Sequence, residues 1–106
     1  MKLYIDDVRI APKDYYLQAW TSQEAFIFVE SFNKRIEFIS FDHDLGLLSQ
    51  ADGYDLVKAL TKLDEEIDWI TPTFDFTCHS ANPVGRENIN CWLNGYLRYK
   101  RSGNIR

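Results

Sequence analysis

Residues 36–44 read IEFISFDHD, a nearly continuous apolar run that ends in two acids around a histidine. A run this short and this apolar predicts a strand buried on both faces, as in the centre of a parallel sheet. The segments on either side alternate between strand-like and helix-like patterns, which predicts an α/β fold with a mainly parallel sheet. The other strands are predicted over 2–6, 17–20 and 74–79, and the helices over 21–32, 52–63 and 83–101.

The link between the first two predicted strands is too short for the usual helical crossover. Either the second strand is antiparallel, or a compact loop replaces the first helix. Asp52 is predicted to cap the helix that follows it, and the acids between 64 and 68 are predicted to lie in a solvated loop. Residues 1–106 are expected to form a single domain, of which the basic stretch 98–106 forms a flexible tail.

Composition narrows the class of protein. A hydrophobic content of 45% over 106 residues indicates one folded domain and excludes an intrinsically disordered chain. The formal net charge of −4 excludes a broad surface for duplex nucleic acid, because neutralising phosphates requires basic residues. The sequence has no signal-peptide core and no apolar run of spanning length, so we expect a cytoplasmic protein with no membrane partner.

Polar side chains follow each of the three main predicted strands. They are Asp6 and Asp7 after the first, Asp42, His43 and Asp44 after the central one, and His79 and Ser80 after the last. The carboxyl ends of parallel strands meet at one edge of a sheet, which is where ligands bind in open α/β folds. Carboxylates gathered there suit a hard cation such as Mg²⁺, and the two imidazoles can carry protons near neutral pH.

The same edge is predicted to attract an anion. Asn82 and Pro83 place the start of a helix there, with its free backbone N–H groups. Arg86 lies in the first turn of that helix, and Arg9 follows the first pair of acids. Either guanidinium can donate two hydrogen bonds to a phosphate, so Arg9, Ser80, Asn82 and Arg86 are the predicted phosphate-binding residues.

These strand ends resemble the receiver domain of response regulators. In receivers an Asp pair, matched here by Asp6 and Asp7, holds Mg²⁺ together with a third Asp that accepts a phosphoryl group, matched here by Asp42 or Asp44. Ser80 matches the hydroxyl residue at the end of the next receiver strand. This chain departs from receivers because their first helix, and their fifth strand with its Lys-Pro ending, have no counterpart in the sequence.

A closer resemblance is to the cyclic-phosphate processing receiver-like family. Four blocks carry it: 6–9 (DDVR) with Pro12, 39–46 (ISFDHDLG), 52–55 (DGYD) and 79–88 (HSANPVGREN). It implies a small receiver-like, flavodoxin-like three-layer sandwich of about four mainly parallel strands with helices on both faces, the first helix and fifth strand being reduced or missing. The resemblance covers residues 2–97.

The same resemblance implies an enzyme that hydrolyses or opens a cyclic phosphate, such as a 2′,3′-cyclic RNA end or a cyclic nucleotide, in RNA repair or phage–host conflict. Asp6, Asp7 and Asp42 would hold Mg²⁺ or another divalent cation, and Asp42, His43, Asp44, His79 and Ser80 would form the catalytic set. Water, Asp42 and Ser80 all remain candidates for the nucleophile. Two alternatives stay open: a module that sequesters a cyclic nucleotide or RNA end without cleaving it, and a receiver-like protein-interaction domain.

Overall fold

The structure, a computed structural model, describes residues 1–104. Its strands are β1 (Lys2–Ile5), β2 (Leu17–Ala19), β3 (Phe38–Phe41) and β4 (Asp75–Cys78), and its helices are α1 (Ser22–Phe32), α2 (Gly53–Ile67) and α3 (Pro83–Tyr99). A short 3-10 turn follows α1, and a final helical turn spans Lys100–Asn104. Within the described residues, no helix is both long and apolar enough to cross a membrane.

All four strands are parallel and lie in the order β2-β1-β3-β4. The predicted α/β, receiver-like class is therefore confirmed, with 36–41 at the centre of the sheet as its apolar pattern indicated. The open question about the second strand is answered by the loop over 6–16, which connects β1 to a parallel β2 without a helix. This loop stands where a receiver has its first helix.

The three helices lie on one face of the sheet, whereas the sequence led us to expect helices on both faces of a three-layer sandwich. Helix α2 packs against both α1 and α3. The crossovers β2–α1–β3 and β3–α2–β4 run in the same direction across the sheet, so their right-handedness places both helices on the same side. Only the β1–β2 link could place a helix opposite them, and it is too short. Tyr15 of that link covers the opposite face instead, against Tyr4 and Phe38.

Side-chain capping starts each helix where the sequence predicts. Thr21, Asp52 and Asn82 accept hydrogen bonds from the backbone N–H groups of the residues three positions later. The prediction that Asp52 caps α2 is confirmed by its 2.8 Å bond from Asp55 N. These caps place the first turns of α2 and α3 at the carboxyl edge of the sheet, beside the polar strand ends.

Asp64 corrects the expectation of a solvated acidic loop. Helix α2 continues to Ile67, and Asp64 falls four residues after Leu60, on the buried stripe of the helix. Its side chain is 1% exposed and accepts hydrogen bonds from Ile70 N (2.7 Å), Tyr96 Oη (2.7 Å) and Lys100 Nζ (2.8 Å). The prediction was wrong because it ended this helix at residue 63, which placed Asp64 in the loop that follows.

Lys100 shows that the start of the predicted basic tail is ordered. Arg98 and Tyr99 belong to α3, and Lys100 donates to Asp64, to Asp68 and to the Ile70 carbonyl, each at 2.8 Å. The stretch predicted as a flexible tail over 98–106 therefore begins as an ordered helix end. Residues 105 and 106 lie outside the described residues.

Replacing Lys100 tests this buried network. Lys100→Met would leave the Asp64 carboxylate buried without its cation, and we expect a loss of about 2–3 kcal/mol in the free energy of unfolding. For a domain of this size that lowers Tm by at least about 8 °C. Lys62→Met, which removes an exposed charge from α2, serves as the control in urea and thermal unfolding. Equal stability of the two variants would contradict a stabilising role for the network.

Candidate active site

The alternation of side chains along the strands places the polar residues on the helix-free face. Successive side chains in a strand point to opposite sides, so residues two apart share a face. Strands β1 and β3 pair in the register Tyr4↔Ser40, and β3 and β4 pair in the register Ser40↔Thr77. The side chains on one face of these strands therefore form rows that continue past the strand ends. The residues on that face are Tyr4 and Asp6, Ser40 and Asp42, and Thr77 and His79. The face left open by the missing helix is thus the face that carries the site.

Asp6, Asp42 and His79 form the centre of the site. Each offers one ligand atom, and these atoms all lie within 4.8 Å of one another. Asp6 is buried, and its Oδ1 is fixed by the backbone N–H groups of Val8 (2.8 Å) and Arg9 (2.9 Å). Two carboxylates and an imidazole at this spacing are a donor set that fits a divalent cation.

His79 is held on three sides. Its Nδ1 is 2.7 Å from Ser40 Oγ, and its Nε2 is 2.9 Å from Asp6 Oδ2. The ring stacks on Tyr4, with 4.4 Å between centroids and 6° between planes. Both nitrogens and the ring plane are therefore set by Tyr4 of β1, Ser40 of β3 and Asp6, which follows β1, so His79 is a rigid part of the site.

The two carboxylates differ in how readily they ionise. Burial raises the pKa of Asp42, and the charge of Asp6 raises it further, while a hydrogen bond from Ser80 offsets part of the effect. Burial also acts to raise the pKa of Asp6, but the N–H groups of Arg9 and Val8, together with His79, outweigh it and hold that pKa below its usual value. A cation between the two acids would favour the ionised form of both.

His43 follows Asp42 directly in the chain, and its imidazole packs on the first turn of α3, between two acids. Its Nδ1 is 2.8 Å from Asp44 Oδ1, and its Nε2 is 3.5 Å from Asp52 Oδ2. The bond to His43 holds the pKa of Asp44 below its usual value. The Asn82 amide lies 3.5 Å from Nδ1. Two carboxylates therefore face the two ring nitrogens of His43.

Two glycines allow this packing around His43. An added Cβ at Gly85 would lie 2.5 Å from Cδ2 and 2.7 Å from Nδ1 of His43, so the ring rests directly on the first turn of α3. Gly53 donates its N–H to the His43 carbonyl at 2.7 Å. An added Cβ at Gly53 would lie 2.9 Å from His43 Cα and closer still to the Asp42 carbonyl oxygen. Helices α2 and α3 approach the end of β3 this closely only because both positions lack a side chain.

The predicted phosphate-binding residues separate into two groups. Arg9 and Arg86 are exposed at the edge of the site, where each donates to a backbone carbonyl, of His79 (3.1 Å) and Ser80 (2.8 Å) respectively. Ser80 is buried, bonded to Asp42 and to Asn82 N. Asn82 uses its Oδ1 to cap α3 at Gly85 N. The arginines are accessible to a ligand, whereas Ser80 and Asn82 support the residues around them.

The structure brings most of the predicted site residues together, but the cluster at their centre differs from the predicted metal-binding set. Asp6 and Asp42 are adjacent, as the predicted metal set requires. Among the described residues, however, the third donor is His79, which the sequence placed in the catalytic set. Asp7 is outside this cluster, and its carboxylate lies against Gly46 in the β3–α2 loop.

Sequence reasoning missed Tyr4, Ser40 and Gly85. The signal for Tyr4 and Ser40 was present, since each precedes a predicted site acid by two residues and so shares its face. Gly85 belongs to the block 79–88 that carries the family resemblance, but that block does not reveal its role, which depends on a contact with His43, 42 positions away in the sequence.

Together, the fold and the site define a small receiver-like α/β domain with a carboxylate–histidine cluster at the carboxyl edge of its sheet. Residues 1–95 match the model of the family described as the cyclic-phosphate processing Receiver domain, and the chain belongs to that family. The resemblance stated from the four sequence blocks is confirmed. No curated protein and no solved structure matches the chain significantly.

Proposed function

We propose that this domain is a metal-dependent phosphoesterase that opens a cyclic phosphate by hydrolysis. The observation that carries the proposal is the Asp6–Asp42–His79 cluster, whose ligand atoms lie within 4.8 Å of one another, together with His43, which follows Asp42 in the chain and is held between two acids. A cation site and an acid at the same edge of the sheet would meet the two needs of the reaction, which are charge stabilisation at phosphorus and a proton for the departing oxygen. Membership of a family described by cyclic-phosphate processing supports the same chemistry.

Each residue then has a distinct task. Asp6, Asp42 and His79 hold the cation, which when bound supplies Lewis-acid stabilisation of the phosphoryl oxygens. Water forms the new P–O bond as the ring ester bond breaks, and His43 gives its proton to the departing ring oxygen. The proton that the water loses restores His43. Asp44 fixes the orientation of the imidazole through its 2.8 Å bond.

Water is a better candidate for the nucleophile than Ser80. The Ser80 side chain is 2% exposed and is already bonded to Asp42 and to Asn82 N. A buried hydroxyl with these partners cannot reach a phosphorus atom without breaking both contacts. We therefore assign Ser80 to holding Asp42 in place.

The phosphate would lie against the exposed guanidinium groups at the edge of the site. Arg9 is half exposed, and its Nη1 is 3.7 Å from Asp6 Oδ2, so it reaches the cluster while facing solvent. Arg86 extends from the first turn of α3. This arrangement suits a single nucleotide or an RNA terminus, because it offers positive charge at one point and not along a surface.

A substrate panel tests the proposal. We expect wild-type protein with Mg²⁺ or Mn²⁺ to convert at least one of a 2′,3′-cyclic-phosphate RNA, a 3′,5′-cyclic mononucleotide or a cyclic dinucleotide, and EDTA to stop the conversion. His43→Gln should lower the rate by about 10²–10⁴-fold, the usual contribution of a general acid. Asp75→Asn, which changes an acid at the opposite end of the sheet, is the matched control and should leave the rate unchanged.

The same panel distinguishes the alternatives. Stoichiometric binding with the ligand recovered unchanged would replace the enzyme by a module that sequesters its ligand. Neither binding nor turnover of any member would remove the cyclic-phosphate proposal and leave the interaction domain. A rate that His43→Gln leaves unchanged would contradict the assignment of the acid.

A further inference from the structure

We infer that His79 coordinates the cation through Nε2, that Ser40 positions it to do so, and that the site therefore prefers a first-row transition metal such as Mn²⁺ to Mg²⁺. This inference rests on the proposed metal site but not on turnover. It follows from the exchange of donors in the structure, where an imidazole nitrogen stands in the place predicted for a third carboxylate.

The spacing of the donors fits a metal ion. Nε2 of His79 and Oδ2 of Asp6 are 2.9 Å apart. Neighbouring ligands at right angles around a cation with bonds of about 2.1 Å are separated by about 3.0 Å. The separation of the pair is therefore close to one edge of a coordination polyhedron, with the cation taking the place of the shared proton. Asp42 offers the third atom within 4.8 Å of both.

Ser40 determines which nitrogen faces the cation. Its hydroxyl is 2.7 Å from Nδ1, and its side chain is 2% exposed, so water cannot replace it readily. Without metal, Nε2–H donates to Asp6 Oδ2, and once a cation displaces that proton the Ser40 hydroxyl can accept from Nδ1–H and leave the Nε2 lone pair for the cation. Metal-binding histidines generally donate their other N–H to such a partner. Stacking on Tyr4 fixes the plane of the ring.

The chemistry of the three donors then determines which metal ion the site prefers. Mg²⁺ prefers oxygen ligands and retains much of its water, and it gains little from imidazole. Mn²⁺ and the later divalent ions bind imidazole nitrogen more strongly. Replacing one carboxylate by His79 also leaves the three-residue set with two negative charges, which weakens the purely electrostatic attraction on which Mg²⁺ depends.

Electron spin-echo spectroscopy of the Mn²⁺-loaded protein tests nitrogen coordination directly. The chain has two histidines, so two variants resolve the source. We expect the modulation from a coordinated ¹⁴N in wild type and in His43→Asn, and its loss in His79→Asn. Failure of Mn²⁺ to bind, absence of the modulation in wild type, or its persistence in His79→Asn would overturn the inference.

Metal affinities measured by calorimetry test the selectivity and the role of Ser40. His79→Asp restores an all-oxygen set, and we expect the ratio of Mn²⁺ to Mg²⁺ affinity to fall at least about tenfold. Ser40→Ala should weaken Mn²⁺ binding by roughly 10–100-fold and alter the ¹⁴N coupling, and Ser40→Thr should restore both. An unchanged ratio would overturn the selectivity, and an unchanged coupling in Ser40→Ala would overturn the positioning role.

The outcome is independent of the proposed function. A wild-type nitrogen signal without turnover of any cyclic phosphate would contradict the enzyme alone. Turnover without that signal would contradict His79 as a ligand alone.

Discussion

Asp42→Asn is expected to lower turnover of a cyclic phosphate by about three orders of magnitude, because it removes a charged ligand worth roughly 4 kcal/mol of transition-state stabilisation. The side chain is isosteric, so the bond from His43 N can persist. The rate is measured at saturating metal to separate lost affinity from lost catalysis. Asp75→Asn carries the same change of charge and should behave as wild type. Retention of more than a tenth of the rate would contradict the role of Asp42.

The same substitution should affect stability in the opposite direction when no metal is present. Burial and the charge of Asp6 both disfavour the Asp42 carboxylate. Neutralising it should raise the free energy of unfolding in EDTA, and with it Tm. Added Mn²⁺ should then raise the Tm of wild type much more than that of the variant. A variant less stable than wild type in EDTA would contradict this account of the site.

The pH dependence follows from the sign of the same shift. A carboxyl whose pKa is raised on folding favours the folded state at pH values below its usual pKa of 3.8, and this contribution is lost as pH rises through the raised value. In EDTA, wild type and Asp42→Asn should thus be similar near pH 3, and the variant should become the more stable one towards pH 7. Urea unfolding at both pH values measures the difference.

Gly85→Ala tests whether the position of His43 affects turnover, independently of the stability of α3. An added methyl group would overlap the imidazole ring, which must then shift from its position between Asp44 and Asp52. We expect turnover to fall by about 10²-fold or more, since a general acid displaced by an ångström loses most of its effect. Nitrogen NMR of His43 should report the broken contact.

Gly95→Ala is the matched control for that experiment. Gly95 lies in the same helix, but an added Cβ there has no atom within 4 Å. The substitution should stabilise α3 by about 0.5–1 kcal/mol and leave turnover unchanged. Equal activity of the two glycine variants would show that the close packing of His43 on α3 is not needed for catalysis.

Much of the fold follows from local pattern. The buried run over 36–41, the three capping residues and the alternation of strands and helices predict the parallel sheet and the start of each helix. The side of the sheet on which the helices lie could not be predicted from local pattern. It depends on strand order, which is fixed by pairing between distant segments. Asp64 was misassigned because the predicted helix ended at residue 63, and its partners Tyr96 and Lys100 come from another helix and the turn after it.

The site was predictable to the extent that it depends on strand ends. Asp6 and Asp42 meet because parallel strands bring their carboxyl ends to one edge. His79 takes the place predicted for Asp7 as third donor because of the face of the sheet on which each side chain lies. That face follows from strand register and not from composition. Local alternation places Tyr4 and Ser40 on the face of the site, but their contacts with His79, and the contact of Gly85 with His43, arise from packing between distant segments.

The most direct test of the central claim is to titrate metal-free protein with Mn²⁺ and to follow metal occupancy and cyclic-phosphate turnover in the same samples. If the Asp6–Asp42–His79 cluster is the catalytic cation site, both should saturate at the same metal concentration, with one ion bound per chain. Both curves should shift together to higher concentration in Asp42→Asn. Full turnover before any metal is bound, or occupancy that Asp42→Asn leaves unchanged, would contradict the claim.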